Sequence, residues 1–122
     1  MVADPLKNRR RKAHRRGHVS EWIAAAYLLL KGYRILALRY RTKLGEIDIV
    51  ARKGDLAVFI EVKARGDELR AVDAVSATAQ KRIRAASDIW LSRQRDAHLL
   101  SQRYDIVAVM PLRWPRHFVD AF

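Results

Sequence analysis

Three charged residues in two neighbouring segments have the types and spacing of a hydrolytic site. Asp48 lies in residues 45–52, and Glu61 and Lys63 lie in residues 56–63. Side chains on a strand repeat every two residues, so Glu61 and Lys63 point to the same side about 7 Å apart. Carboxylates that converge repel one another, and a bound cation relieves that repulsion. An all-oxygen set of this kind suits Mg²⁺ or Mn²⁺.

Lys63 adds a second kind of chemistry. A protonated lysine does not bind a metal ion, but it can hold an attacking water or stabilise the charge that builds on phosphorus. That combination suits phosphodiester hydrolysis. The alternative is a surface hairpin carrying an ordinary Glu61–Lys63 ion pair, which stabilises little. The motif Glu-x-Lys is weak by itself, and it gains weight from Asp48 and from the basic character of the chain.

The two segments are predicted to be strands of one hairpin, because both are rich in β-branched residues and flank Lys53-Gly54-Asp55. A two-residue turn at Lys53-Gly54 would set Glu46 opposite Glu61 and leave Asp48 diagonal to it. Alternation predicts one apolar face, made of Ile47, Ile49, Ala51, Leu56, Val58, Ile60 and Val62. It predicts a second face that carries Glu46, Asp48, Glu61 and Lys63.

The surrounding elements follow from hydrophobic periodicity. Residues 19–31 have helical spacing, with Ser20 as a cap and Gly32 as a stop, and their apolar residues predict burial on more than one face. Residues 73–94 form a long amphipathic helix. Further strands are predicted at 33–40, 103–110 and 117–122. The order is αβββαββ, which makes this an α/β domain.

Several other polar and aromatic residues have simple structural explanations. Glu21 is an acid near a helix N-terminus, where the helix dipole favours it. Asp105 could approach the site from the fourth strand, and pairing with a neighbouring arginine is the favoured interpretation. Trp22 and Trp90 are assigned to the core. Three histidines without metal-ligand spacing are interpreted as surface or capping residues, namely His18, His98 and His117.

Composition limits the classes of function. The chain has 122 residues, a formal net charge of +12 and no cysteine. This size fits a single domain, and the absence of cysteine excludes disulfides, thiolate zinc sites and cysteine nucleophiles. The charge favours a polyanionic partner, either nucleic acid or an anionic membrane surface. The longest apolar stretch, residues 23–30, is too short for a bilayer span, and no secretory signal is recognisable, so we expect a cytoplasmic protein.

Residues 1–18 form a basic arm with seven basic residues and one acidic residue, ahead of a domain at 19–122. Charge runs of this kind are expected to be flexible. The arm is interpreted either as a solvated tail or as a segment that binds phosphates, and the sequence favours neither interpretation strongly. The predicted phosphate contacts are four residues of the arm and three of the domain, namely Arg9, Arg10, Arg11, Lys12, Arg65, Lys81 and Arg84.

The motif residues carry a family resemblance. Gly45-Glu46-Ile47-Asp48 followed by Phe59-Ile60-Glu61-Val62-Lys63-Ala64-Arg65 resembles the core of the PD-(D/E)XK nuclease superfamily, which includes restriction enzymes and archaeal Holliday-junction resolvases. More narrowly, the chain is similar to the YraN family of small bacterial proteins. The similarity extends from Gly17 and Glu21-x-x-Ala24 to Arg103-Tyr104-Asp105 and Asp120-Ala121-Phe122, which covers almost everything except the arm.

The resemblance implies a restriction-endonuclease-like fold, in which helices flank a mixed central sheet. It implies that Asp48 and Glu61 are metal ligands, that Lys63 is the catalytic lysine and that Glu21 is a further acidic member of the site. Glu46 belongs to the motif, where it would bind a second ion or orient a water.

The resulting hypothesis is a metal-dependent endonuclease of branched or structured DNA, or of RNA, with Mg²⁺ or Mn²⁺ as cofactor. Phosphate contacts alone do not separate DNA from RNA, and DNA is expected in preference to RNA. One alternative is a non-catalytic nucleic-acid-binding module that retains the nuclease fold. Another is a basic accessory protein that binds a protein or anionic lipid, although a membrane partner is not expected. Analogy with resolvases, which act on two-fold symmetric junctions, suggests a homodimer.

Overall fold

Seven helices and strands lie in the part of the domain that the structure describes. A computed structural model describes the backbone of residues 5–64 and 75–122, and the side chains of residues 18–64 and 75–122. The helices are α1 (Pro5–Leu30) and α2 (Ala77–Ser92), and a 3₁₀ turn follows at Ala97–Leu99. The strands are β1 (Arg34–Arg41), β2 (Glu46–Lys53), β3 (Leu56–Lys63), β4 (Ser101–Ala108) and β5 (Arg116–Phe118). The predicted order αβββαββ is confirmed.

The five strands form one mixed sheet in sequence order. β1, β2 and β3 are consecutive antiparallel strands, β4 runs parallel to β3, and β5 returns antiparallel to β4. The parallel pair requires a long connection, and this connection contains α2. β3 therefore lies at the centre of the sheet with a neighbour on each side, and four of its eight residues are buried.

The core consists of two clusters, because helices cover both faces of the sheet. Ala24 and Leu28 of α1 pack with Ile49 and Ile60, whereas α2 packs over Phe59 and its neighbours. The rings of Phe59 and Trp90 meet edge to face, with centroids 5.8 Å apart. The buried position predicted for Trp90 is confirmed, and the mixed sheet flanked by helices is consistent with the restriction-endonuclease-like fold.

The hairpin that carries the candidate site differs in register from the prediction. Lys53 pairs with Leu56, and the ladder runs to Ile49 opposite Ile60, so the predicted pairing of Glu46 with Glu61 is wrong. The turn residues are Gly54 and Asp55, and Gly54 has a positive φ of 59°. Two-residue hairpin loops favour glycine at the first position of a type II′ turn, which explains the shift.

The predicted division of the hairpin into two faces is only partly correct. Ile47 was expected beside Ile49 and Ala51, but it packs in the cluster under α2. The pairing of β2 with β3 ends at Ile49 and Ile60. Beyond that pair, the backbone N–H of Val62 donates to the side chain of Asp48 in place of a backbone carbonyl of β2. This local break in the ladder releases Ile47 from strict alternation.

The outer side of α1 contradicts the prediction that this helix is buried on more than one face. Trp22, predicted to be a core residue, is 63% exposed. The other exposed large residues of this helix are Val19, Ile23, Leu29 and Leu30. Among residues 18–30 of this helix, a narrow stripe around Ala24 and Leu28 packs in the core, because the sheet meets the helix from one side. None of the described helices has an apolar run long enough to cross a bilayer.

Candidate active site

Asp48 is held near the end of the β2–β3 ladder. The backbone N–H of Val62 donates to its Oδ2 at 2.8 Å. Asp48 and Glu61 lie immediately beyond the last paired residues, Ile49 and Ile60. A side-chain hydrogen bond connects the carboxyl groups of Asp48 and Glu61. Burial raises the pKa of Asp48, and repulsion from Glu46 adds to this, although the bond from Val62 opposes the shift.

Glu61 and Lys63 extend the site along β3. Burial, followed by repulsion from Asp48, raises the pKa of Glu61 to about 7. The Lys63 ammonium lies 3.6 Å from Glu61 Oε1 and only partly offsets that shift. Two carboxyl groups this close titrate as a coupled pair, and the raised pKa values mean that the pair holds a proton more tightly than two isolated carboxyl groups would. The pair therefore has a strong tendency to accept positive charge.

Glu21 lies on α1, within electrostatic range of Asp48. Its carboxylate lies 3.3 Å from Arg39 Nε. Burial raises the pKa of Glu21, and the charge of Asp48 adds to the effect, which places the two carboxylates within electrostatic range. Arg39 was not predicted as a member of this site. It has a positive φ of 51° within β1 and also contacts His18, and neither feature is readable from the sequence.

Glu46 lies at the edge of the site. Its side chain is 60% exposed and forms an ion pair with Arg41 at 3.5 Å. Within the described residues, no three carboxylate or imidazole groups are close enough to hold a metal ion together. Mg²⁺ needs no such cage, because it keeps several waters and often binds through one or two carboxylates. The oxygen donors of Asp48 and Glu61 therefore fit Mg²⁺ or Mn²⁺, and Glu46 stands apart from them.

The predicted phosphate contacts are only partly within the described residues. Lys81 and Arg84 are exposed on α2. The Arg84 guanidinium lies over the Tyr104 ring at 4.5 Å from its centroid, so this side chain is partly committed to packing. The remaining predicted contacts lie outside the residues with described side chains, namely Arg9, Arg10, Arg11, Lys12 and Arg65.

Asp105 serves a separate structural network. It is fully buried, and it accepts hydrogen bonds from Arg103 at 2.8 and 2.9 Å and from the backbone N–H of Asp120. His117 Nε2 contacts the same carboxylate at 2.7 Å. Burial alone would raise the pKa of Asp105, but the bonds from His117 and Arg103 outweigh it and hold that pKa low. The favoured pairing with a neighbouring arginine is confirmed, and the assignment of His117 to the surface is wrong.

The fold and the paired carboxylates define an α/β protein consistent with the restriction-endonuclease-like class. A family model described as uncharacterised protein family UPF0102 matches residues 20–109. The chain belongs to this family, also called the YraN family, as the motif resemblance indicated.

Relatives match over nearly the whole length. A UPF0102 protein of Rhizobium johnstonii is 75% identical over 113 residues, which is 93% of each chain. A UPF0102 protein of Agrobacterium fabrum is 65% identical over all 122 residues, the full length of both chains. These similarities establish the family, and the chemistry has to be argued from the site.

Proposed function

We propose that this protein is a metal-dependent endonuclease that hydrolyses phosphodiester bonds in branched or structured DNA. The observation that carries the proposal is the half-buried Asp48–Glu61 pair, whose raised pKa values mark a site that favours added positive charge. Perturbed carboxylates of this kind are more frequent at functional sites than on ordinary hairpins. A basic chain also attracts a polyanionic substrate.

The proposed chemistry assigns a role to each described side chain. Asp48 and Glu61 would hold Mg²⁺ or Mn²⁺, which supplies Lewis-acid stabilisation of a phosphoryl oxygen. Lys63 would stabilise the negative charge that develops on phosphorus or hold the attacking water. Its ammonium already lies beside Glu61. Glu21 would position a water or a second ion, with Arg39 holding its carboxylate in place.

A non-catalytic nucleic-acid-binding module is the competing function. The observation that favours it is the formal net charge of +12, which binding of nucleic acid would explain without any catalysis. The two functions differ in whether a divalent ion and the carboxylate pair are required.

The partners follow from the same proposal. Nucleic acid is the proposed substrate, DNA in preference to RNA, and the cytoplasm is the proposed location. The homodimer suggested by analogy with resolvases stays a prediction that equilibrium sedimentation of the purified protein would test.

Cleavage assays with matched variants test the proposed function. The substrates are single-stranded, duplex, flap and four-way-junction DNA and a structured RNA, each with Mg²⁺, Mn²⁺ or EDTA. Asp48→Asn removes the charge of a proposed ligand at nearly constant shape. Asp55→Asn is the matched control, because Asp55 lies at the opposite end of the same hairpin and its side chain is 77% exposed.

The expected result is cleavage that requires the metal ion, is lost in Asp48→Asn and is retained in Asp55→Asn. Cleavage that persists in Asp48→Asn or in EDTA contradicts the proposed mechanism. If wild type shifts the labelled substrates on a native gel but cuts none of them, the binding module replaces the enzyme as the better explanation.

A further inference from the structure

A cleft of about 680 Å³ lies between the β1–β2 turn and the face of α2. Its lining residues are Arg41, Thr42, Lys43, Leu44, Ile89 and Arg93. Three of the six carry positive charge and none is acidic. Leu44 and Ile89 contribute apolar surface between the charged groups. The cleft is therefore suited to a ligand that is anionic at regular intervals and less polar in between.

The turn that forms one wall is held in a fixed shape. Thr42 Oγ1 donates to the Gly45 carbonyl at 2.8 Å and accepts from the N–H groups of Leu44 and Gly45. The backbone N–H of Thr42 also donates to the Gly45 carbonyl. This network fixes the direction of Lys43 and Leu44 at the tip of the turn.

The opposite wall comes from the last turn of α2 and its C-terminal cap. Ile89 and Arg93 are four residues apart, so they lie on one helical face. Arg93 also donates to the Tyr40 hydroxyl at 3.2 Å, which holds its guanidinium close to β1. The two walls meet where Gly45 packs against the backbone of Arg82. Both sides of the cleft are thus positioned before any ligand arrives.

The cleft is connected to the carboxylate site through Arg41. This residue lines the cleft and pairs across the strands with Glu46. Its charge also slightly offsets the burial that raises the pKa of Glu21. Glu46 and Asp48 are two residues apart on β2, roughly 7 Å along the strand. A strand whose reacting phosphate lies at the Asp48–Glu61 site would reach the cleft within a few nucleotides.

We infer that this cleft binds the phosphate backbone of a nucleic-acid strand beside the bond that is cut. The inference rests on the proposed function and adds the path of the substrate. Arg41, Lys43 and Arg93 meet successive phosphates, and Leu44 and Ile89 contact the sugars and bases between them. A positively charged groove that follows the backbone is a general feature of single-strand binding. Here Leu44 and Ile89 would supply apolar contacts in place of the aromatic stacking that such grooves commonly use.

Fluorescence anisotropy with a labelled single-stranded oligonucleotide, in EDTA and over a range of salt concentrations, tests this inference. The cleft variant is Lys43→Gln combined with Arg93→Gln. The matched control is Arg34→Gln combined with Arg113→Gln, two exposed arginines outside the cleft that cause the same change in net charge. Thermal unfolding of both variants verifies that they are folded.

Loss of two phosphate contacts is expected to reduce the salt slope of log K by about 1.4, because each contact to a single strand contributes about 0.7. At about 0.1 M salt that corresponds to about 25-fold weaker binding. The control variant is expected to change both quantities much less. Equal losses in the two variants would overturn the inference, since they would mean that only the general field of the protein is involved.

Two further outcomes separate this inference from the proposed function and from a free-anion site. Selective weakening in the cleft variant supports the cleft even if wild type never cuts DNA, because binding in EDTA needs no catalysis. Inorganic tripolyphosphate is the competitor that reports on a free-anion site. If it displaces the oligonucleotide as effectively as unlabelled strand at equal phosphate concentration, a strand-binding cleft is contradicted.

Discussion

Replacing Glu61 by glutamine is expected to stabilise the protein at alkaline pH and to have little effect at acidic pH. The pKa of Glu61 is raised from 4.5 to about 7, and its side chain is only 21% exposed. A raised carboxyl pKa means that the folded state binds the proton more tightly than the unfolded state. Stability from this proton is therefore fully present below pH 4.5 and is lost as the pH rises through 7.

The size of the effect follows from the shift. Each pKa unit corresponds to about 1.4 kcal/mol, so the full shift is equivalent to about 3 kcal/mol of unfolding free energy. Glutamine cannot ionise and escapes this loss. This gain in stability is opposite to the effect expected from net charge alone. Removing an acid raises the net charge of a chain that already carries +12, and added charge repulsion destabilises a folded protein.

Urea unfolding of wild type and Glu61→Gln at about pH 5 and about pH 8.5 measures the difference directly. Asp88→Asn is the control, since Asp88 is exposed on α2 and the substitution makes the same change in charge. The reasoning is refuted if Glu61→Gln is no more stable than wild type at the higher pH, or if Asp88→Asn gains as much.

Three further predictions concern other parts of the structure. Mg²⁺ is expected to raise the melting temperature of wild type above neutral pH, where the pair is ionised, but not that of Asp48→Asn; equal shifts would contradict metal binding at the pair. Asp105→Asn is expected to lower the unfolding free energy by about 3–5 kcal/mol, because Arg103 loses its ionic partner; a loss below about 1 kcal/mol would refute this. Gly45→Ala is expected to lower the free energy of unfolding in urea more than Gly54→Ala does. A Cβ at position 45 would stand 2.2 Å from a backbone oxygen of α2. A Cβ at position 54 would meet only open space, so the cost there is limited to the positive φ. The reverse order would refute that packing argument.

The sequence was most informative where the local pattern was strong. β-branched residues and alternation located β2 and β3, and with them Asp48, Glu61 and Lys63. The predicted register was wrong because the register depends on which turn position Gly54 occupies. The turn Lys53-Gly54 and the turn Gly54-Asp55 are both two residues long, and they are displaced by one position. The proximity of the two carboxylates survived this error, since both registers bring the two strands together at the same end.

Features that depend on tertiary packing were not readable in the same way. Helical spacing placed apolar residues on α1, but it did not reveal that only one side meets the sheet and that Trp22 is exposed. The left-handed conformation of Arg39 has no sequence signal. Arg41 and Arg93 are far apart in the chain, and only the packing of α2 against the β1–β2 turn brings them to one cleft.

The position of the carboxylate pair within a single hairpin has a consequence for the order of folding. Hairpins form from local contacts, whereas β4 joins β3 only after the chain has passed through α2. Asp48 and Glu61 therefore meet while they are still hydrated, and their repulsion becomes costly only when the later elements bury them. We expect the refolding rate measured by stopped-flow fluorescence to fall as the pH rises through 7 in wild type and to stay level in Glu61→Gln. A pH-independent rate in wild type would contradict this order. The residues proposed for chemistry then also determine how quickly the domain reaches its folded state.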